Sequence, residues 1–501
     1  MKRFLLYVLC VTFVVVSSSA FAAEVKKTPR DQFFWLGQIN KASLVVNTAE
    51  GLIDPSVAPK FAKGIAKVLE DGAQPGGSRP RTVITFEPLL IKAAGDEITM
   101  LHAGRSSQDM HAAYRMAMAR EELLALAESL AAVNDTIIKL AEKHRDTIVP
   151  SYTNGVAAQP TSYGHYLLAF ADGFARDMQR LHQYYSRLDR SPMGSTVLNG
   201  TSWPLNRDKM AAYLGFASLA YNAYDANQIF TIEYAPEAGF VATEIALHVG
   251  SFIEDIMQQY AQPRPWILLQ EGGENTYVSS AMPQKRNPGL LNSTRVDAST
   301  IIGQAMGCIV RSHNVPPGMG DGRSNEMSVM LKTTAKMLNN FNKILKAMVV
   351  SKERALEELN LDWTASQEVA DELMRKYKLP FRVGHHFASE MVGYAKTKNI
   401  LPLQFPYAEA KRIYKEAMTG HTGPAEFPMS EAEFKATLDP VAIVKARATK
   451  GGPQPAEMTY MLEEAKKTFA DQQKWIKDSY ATLSDAEKKL NSDFEKLLKQ
   501  Q

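Results

Sequence analysis

Residues 110–144, MHAAYRMAMAREELLALAESLAAVNDTIIKLAEKH, contain neither proline nor glycine and are rich in Ala, Leu, Met and Glu. Apolar residues recur at three and four positions, the spacing of one helix face, so the stretch predicts a single long helix. Its narrow Ala and Leu faces predict close helix-helix packing. Further long helices are predicted at Tyr163–Leu188, Glu237–Tyr260, Val296–Arg311 and Met327–Val350. Helices of roughly 25 residues exceed the usual 11 or 12, which points to a mostly α fold built on a long-helix bundle.

Working outward, Gly51-Leu52-Ile53-Asp54-Pro55 opens a short helical stretch carrying Phe61, Ile65 and Leu69, and the Gly and Pro of Gly72–Pro80 predict a loop. Beyond the bundle the chain is helical again, interrupted at Leu379-Pro380-Phe381, Leu401–Pro406 and Gly420–Pro428. The tail from Ala456 to Gln501 is charged and amphipathic and reads as a solvated helical surface. These shifts divide the chain into a small helical domain over 23–103, the bundle over 104–351 and a carboxyl-terminal helical domain over 352–501.

The chain opens on Met1, Lys2 and Arg3, runs apolar from Phe4 to Val16, and reaches the small-x-small triplet Ala20-Phe21-Ala22. That is the plan of a secretory signal peptide over 1–22, cut after Ala22, and it predicts a periplasmic or secreted protein. The apolar run is shorter than the ~20 residues that span a bilayer, so no stable membrane insertion is expected after cleavage. Cys10 leaves with the peptide and Cys308 stays alone, so no internal disulfide can form and a packed core must hold the fold. No cysteine cluster suggests zinc, and the sequence calls for no metal or cofactor. The net charge of +3 is small and mixed in sign, which argues against a nucleic-acid surface.

Three polar segments marked by Gly or Pro separate the long helices: His102–Asp109, Pro150–Pro160 and Glu271–Pro288. Loops at the ends of rigid helices are where binding and chemistry concentrate. In the last of them, Gly272-Gly273 supplies mobility, Ser279 and Ser280 stand just before Pro283, and Lys285 and Asn287 follow two residues apart. Such a loop can close over an anion, with Lys285 offering charge, Asn287 an amide and a serine the proton transfer.

Ser279 to Pro288 resembles the pattern GSSxMPxKxNP of the argininosuccinate lyase, fumarase, aspartase and adenylosuccinate lyase superfamily, with Val278 in place of its leading Gly. His102–Asp109 resembles the first conserved region of that superfamily, and Thr147–Asn154 with Ala158-Gln159-Pro160 the second, which reads DTIMPGYTHLQRAQP in a lyase. Pro192-Met193-Gly194-Ser195, Asn206-Arg207, Leu214-Gly215-Phe216, and Leu379-Pro380-Phe381-Arg382 with His385 and Val392-Gly393 resemble argininosuccinate lyase landmarks. The likeness covers nearly the whole mature chain, and argininosuccinate lyase is the nearest branch.

The resemblance implies a three-domain protomer whose long helices assemble into the twenty-helix core of a homotetramer, with each active site drawing one conserved region from each of three subunits. It implies β-elimination across a C–N or C–O bond of a small carboxylate or amino acid, giving fumarate or a related unsaturated acid. Ser279 would be the base, acting as an alkoxide, a demand that only surrounding donors can meet. Lys285 and Asn287 would hold the substrate carboxylate, with Ser106, Ser107, Gln108, Thr153 and Gln159 as further substrate contacts.

The pattern breaks at two positions. Asn154 stands where the superfamily has a histidine, and Asn292 where it has the glutamate that pairs with that histidine. An Asn-Asn pair can replace the ionic pair geometrically, but neither amide titrates near neutral pH. His102 and His111 are then the alternative proton donors. Ser107, Gln108 and Met110 also replace the Arg, Asn and Gln of the GRSRNDQ form, which argues against argininosuccinate itself as substrate. Two other readings stand beside the lyase: a catalytically inactive binding or structural protein on the same fold, and an isomerase or cyclase using the same proton abstraction.

Overall fold

The computed structural model describes residues 29–319 and 326–500; the expected signal peptide lies outside the described residues. Three helices, α1 (Gln32–Ala49), α2 (Ala58–Ala73) and α3 (Val83–Ala94), precede a 3-10 turn at Asp96–His102. α1 is buried on nearly every side, which suits its run of Phe33, Trp35, Leu36, Ile39 and Leu44. α2 starts later than Gly51–Pro55 suggested, because Asp54 and Pro55 make a turn in which the Asp54 carboxylate accepts from the Ser56 N–H at 2.8 Å.

The long helix predicted at Met110–His144 is α4, Ser107–Lys143. Ser106 and Asp109 close a capping box at its start, satisfying amides that the first turn would otherwise leave unpaired. An antiparallel hairpin follows, β1 (Ile148–Thr153) and β2 (Val156–Ser162), then α5 (Tyr163–Leu188), whose bounds match the expectation. Two short strands, β3 (Arg190–Ser191) and β4 (Ser218–Leu219), pair in parallel around α6 (Arg207–Tyr213).

A five-residue π turn, Asp225–Ile229, leads into α7, Phe230–Tyr260. The expectation placed this start at Glu237, just after Pro236. Proline inside a helix normally costs about 3 kcal/mol or more, but here Phe230, Tyr234 and Ala235 are buried on the bundle side and hold the helix through it. β5 (Ile267–Leu269), β6 (Tyr277–Val278) and β7 (Arg286–Asn287) precede α8 (Gly289–Ser312) and α9 (Glu326–Ala347). α8 begins seven residues before the expected Val296. The polar residues there are absorbed by the helix, since Ser293 and Thr294 donate their hydroxyls to the Leu290 carbonyl at 3.1 and 2.7 Å. α9 stops at Ala347 rather than Val350, because Met348–Val350 becomes β8 and pairs antiparallel with β5.

Seven helices complete the chain: α10 (Lys352–Leu361), α11 (Ser366–Tyr377), α12 (Phe381–Lys398), α13 (Tyr407–Ala417), α14 (Glu431–Ala436), α15 (Pro440–Ala446) and α16 (Pro455–Lys499). A second apolar cluster runs from Trp363 to Leu438. α16 instead returns to the main core through Met458, Leu462, Ile476, Leu490 and Phe494. Its charged face is solvated, as the amphipathic pattern required. Among the described residues no helix is long and apolar enough to cross a membrane.

The ends of the bundle are distinct. At one end the start of α4 meets the Gly194–Thr196 loop, and the start of α9 meets the end of α8 through the Arg311–Glu326 ion pair at 2.7 Å. At the other, the α4 carboxyl end receives the start of α5, where the Gly164 N–H donates to the His144 carbonyl at 2.9 Å. The hairpin β1-β2, the β5-β8 pair and the 271–288 loop gather at this second end. Along α4, at 1.5 Å per residue, the two ends stand roughly 50 Å apart.

Candidate active site

The serine loop is a small hairpin, Tyr277 opposite Asn287 and Val278 opposite Arg286. Arg286 ties it down, donating to the Glu271 carboxylate at 3.1 Å and the Pro283 carbonyl at 2.7 Å. Gly272 and Gly273 both lie at positive φ, 84° and 57°, so the loop enters through backbone that L side chains adopt only with strain. The Ser279 Oγ accepts the Ala281 N–H at 3.3 Å and the Met282 N–H at 3.2 Å. Two fixed donors on one hydroxyl oxygen favour negative charge there, which is what an alkoxide base requires. Lys285 is exposed, and the Asn287 amide donates to the Tyr277 carbonyl at 3.4 Å. Asn292 sits in the first turn of α8, half-buried, its N–H on the Pro288 carbonyl at 3.1 Å.

The second region, read as a loop, is the hairpin β1-β2. Thr153 pairs with Val156 across Asn154-Gly155, whose φ values of 52° and 76° make the two-residue turn that right-twisted strands favour. Asn-Gly is the strongest short hairpin signal, and the two prolines nearby masked it. The turn also gives Asn154 a local reason, because Asn tolerates the left-handed region better than most side chains. Replacing Asn154 by Ala is expected to lower stability by about 1 kcal/mol, read as a shift of the urea midpoint. Thr153, Asn154 and Gln159 are exposed, with Gln159 donating to Gln367 at 2.8 Å, and within one chain no hydrogen bond joins Asn154 to Asn292.

Tyr152 anchors this hairpin. Its hydroxyl donates to Glu358 of α10 and accepts from Trp266 Nε1 at 2.9 Å and Gln259 Nε2 at 3.1 Å. One phenol thereby joins the second region to the strand that leads into the serine loop.

The first region lies at the far end of the bundle. Ser106 caps α4, its Oγ accepting the Gln108 N–H at 3.4 Å, and Ser107 and Gln108 occupy the first turn, half-buried. Arg105 turns inward and donates to Ser43 Oγ at 2.9 Å and Asn40 Oδ1 at 2.8 Å, holding the region to α1. The two candidate donors are both engaged: His102 Nε2 lies 2.5 Å from Glu87, and His111 Nε2 accepts the Val83 N–H at 3.2 Å. An accepting imidazole nitrogen carries no proton, so His111 caps α3 rather than offering an acid from that atom.

Sequence reasoning missed Asp109. This buried carboxylate accepts the N–H groups of Ser106 at 2.7 Å, Gly194 at 3.1 Å and Thr196 at 3.3 Å. Burial outweighs those donors and pushes its pKa up to about 6. Thr196 and Val197, the next residues, hold φ at 49° and 74°, a strained conformation for β-branched side chains that the Asp109 contact and the Thr196 Oγ1 bond to the Gly104 carbonyl maintain. The Ser106-x-x-Asp109 spacing is a capping signal and was the available clue.

His144, at the carboxyl end of α4, holds the start of the hairpin through Thr147, and burial lowers its pKa from 6.5 to about 4. A depressed basic group contributes stability that is fully present above about 6.5 and lost as pH falls through 4. Asp109, raised instead, contributes stability present below its ordinary 3.8 and lost as pH rises through about 6. The two oppose each other over the same window, so the informative quantity is a difference. His144→Gln is expected to lose less stability between pH 6.5 and 4 than the unaltered protein, measured by urea unfolding at each pH.

A family model described as lyase matches residues 81–303, and one described as argininosuccinate lyase C-terminal matches 363–445. Argininosuccinate lyase 1 of Shouchella clausii is 26% identical over 479 residues, covering 93% of this chain and 94% of its own. The argininosuccinate lyase of Methanoculleus marisnigri is 28% identical over 461 residues, covering 89% and 90%. Among solved structures, an EDDS lyase variant with bound fumarate superposes at a TM-score of 0.83 with 24% identity, covering 93% of this chain and 92% of its own. The class II fumarase of Schistosoma mansoni superposes at 0.63 with 15% identity, covering 82% and 90%, and shares the fold. With both family models in their expected order and full-length relatives on either side, the chain belongs to the fumarase/aspartase superfamily and is a lyase of that superfamily.

Proposed function

We propose that the protein is an exported lyase, periplasmic or secreted, that performs β-elimination on a small carboxylate or amino acid and releases fumarate or a related unsaturated acid. The observation that carries this reading is the pair of backbone N–H groups on Ser279 Oγ. As an alkoxide Ser279 takes the proton beside the substrate carboxylate, and Lys285 and Asn287 hold that carboxylate as charge builds on it. Thr153 and Gln159 come from the hairpin of another subunit, and Ser106, Ser107 and Gln108 from a third. Asn154 and Asn292 orient the substrate without titrating, so the leaving group departs with little acid assistance or takes its proton from elsewhere.

Assembly is part of this proposal. One chain holds its first region about 50 Å from the other two, so a complete site requires neighbouring copies. Five long helices per chain, α4, α5, α7, α8 and α9, are available for a shared core. α7 and α8 leave Phe240, Leu247, Val296, Met306 and Val310 more than half exposed, an apolar stripe that further copies of the chain would cover.

The test is a panel of N-substituted aspartates, succinyl conjugates and hydroxy acids, incubated with the purified protein while alkene absorbance is followed. Turnover of at least one, abolished by Ser279→Ala, supports the proposal. Silence across the panel, or turnover that survives the substitution, overturns it.

A further inference from the structure

Beneath the β1-β2 hairpin lies a cavity of about 210 Å³ that none of the chemistry above uses. Its walls come from β1, the end of β2, the first turns of α5, the last turns of α7 and the start of β5. Aromatic side chains dominate: Tyr152, Tyr163, Tyr166 and Trp266 line it. Tyr163 and Tyr166 stack at 5.5 Å, and Trp266 meets Tyr163 edge to face at 5.7 Å.

The same wall carries one carboxylate, Asp255, whose Oδ2 accepts from the Tyr166 hydroxyl at 2.6 Å. Among the described residues no Lys, Arg or His lines the cavity. The Tyr152 hydroxyl is already committed to three partners, so the cavity's charge and much of its free hydrogen-bonding capacity rest on Asp255. Burial, and after it the Asp255 charge, hold the Tyr163 and Tyr166 phenols well above the ordinary tyrosine value, so both rings stay neutral.

A carboxylate set among aromatic rings, with no Lys, Arg or His of the described residues in the same lining, is matched to one class of ligand. Aromatic rings attract cations, and a half-buried carboxylate gains from an opposite charge. A second anion would be repelled, and an apolar neutral molecule would offer the carboxylate no opposite charge. A space of about 210 Å³ suits a compact alkyl group with one charged head.

We propose that this cavity is a binding site for a small alkylammonium ion, with Asp255 as its counter-ion and the Tyr163, Tyr166 and Trp266 rings as its walls. β1 runs on into Thr153 and β5 into the serine loop, so the ligand braces both segments from below.

Calorimetric titration of the full-length protein with n-butylammonium chloride, 1-butanol and sodium butyrate at constant ionic strength tests it. Saturable binding of one n-butylammonium per chain is expected, at least tenfold weaker binding of 1-butanol, and none of butyrate. Asp255→Asn is expected to weaken n-butylammonium at least tenfold, while Ser279→Ala leaves it unchanged and so separates this cavity from the reaction site. Equal binding of the alcohol and the ammonium would reduce the cavity to an apolar pocket and overturn the proposal. Absence of saturable binding, or binding untouched by Asp255→Asn, would overturn it too. If Asp255→Asn fails to fold, the comparison of cation with alcohol on the unaltered protein decides alone.

Discussion

Ser279→Ala is expected to lower kcat by about 10³-fold or more on whichever substrate turns over, with KM changed much less. The split follows from the geometry. Oγ is the atom on which the Ala281 and Met282 N–H groups converge, while Lys285 and Asn287, proposed above to bind the carboxylate, stay in place. Ser279→Cys separates two roles for those donors. A thiolate forms more readily than an alkoxide, so if Oγ is the base the cysteine variant keeps a residual rate that rises with pH, whereas a merely structural serine would give two equally impaired variants. The measurement is a pH series of kcat for the three proteins, with circular dichroism confirming that each is folded. An alanine variant within tenfold of the unaltered protein would remove Ser279 from the chemistry.

The long helices were legible because their evidence is periodic and local. Tyr163–Leu188 came out to the residue, since Ser162 caps one end and Asp189 closes the other. Where tertiary packing overrides a local signal, the reading failed in a definable way. Pro236 reads as a helix break, yet the buried faces on both sides of it carry α7 through. Val349 and Val350 fit a helix pattern until β5 supplies a strand partner. The hairpin at Asn154-Gly155 had its turn signal in plain sight and was hidden by Pro150 and Pro160, which are tolerated because each lies at a paired position of a two-stranded ribbon with free edges. The site residues were named by pattern, but their setting was not. That two backbone amides meet on Ser279 Oγ, or that Asp109 gathers three from two segments, depends on loop conformations no spacing encodes.

Separately inactive variants are expected to regain activity when their subunits are mixed. Ser107→Ala/Gln108→Ala removes proposed substrate contacts at one end of the bundle, and Ser279→Ala removes the proposed base at the other, about 50 Å away along α4. If each site takes its first region and its serine loop from different chains, a randomly reassembled mixture in equal amounts holds both intact in about a quarter of its sites. The mixture should therefore recover roughly a quarter of the unaltered rate, while each variant dissociated and reassembled alone stays inactive. A site confined to one chain gives no recovery, because every chain in the mixture carries one lesion or the other. The experiment needs reversible dissociation, for which the apolar stripe through Phe240, Leu247, Val296 and Val310 predicts the conditions. Mild urea should separate an interface over that stripe more readily than salt, because such an interface would rest on apolar burial rather than ion pairs. Light scattering before and after reassembly distinguishes a failure to reassociate from a failure to complement. Inactive mixtures of correctly sized assemblies would show that the three regions do not share sites in the proposed way.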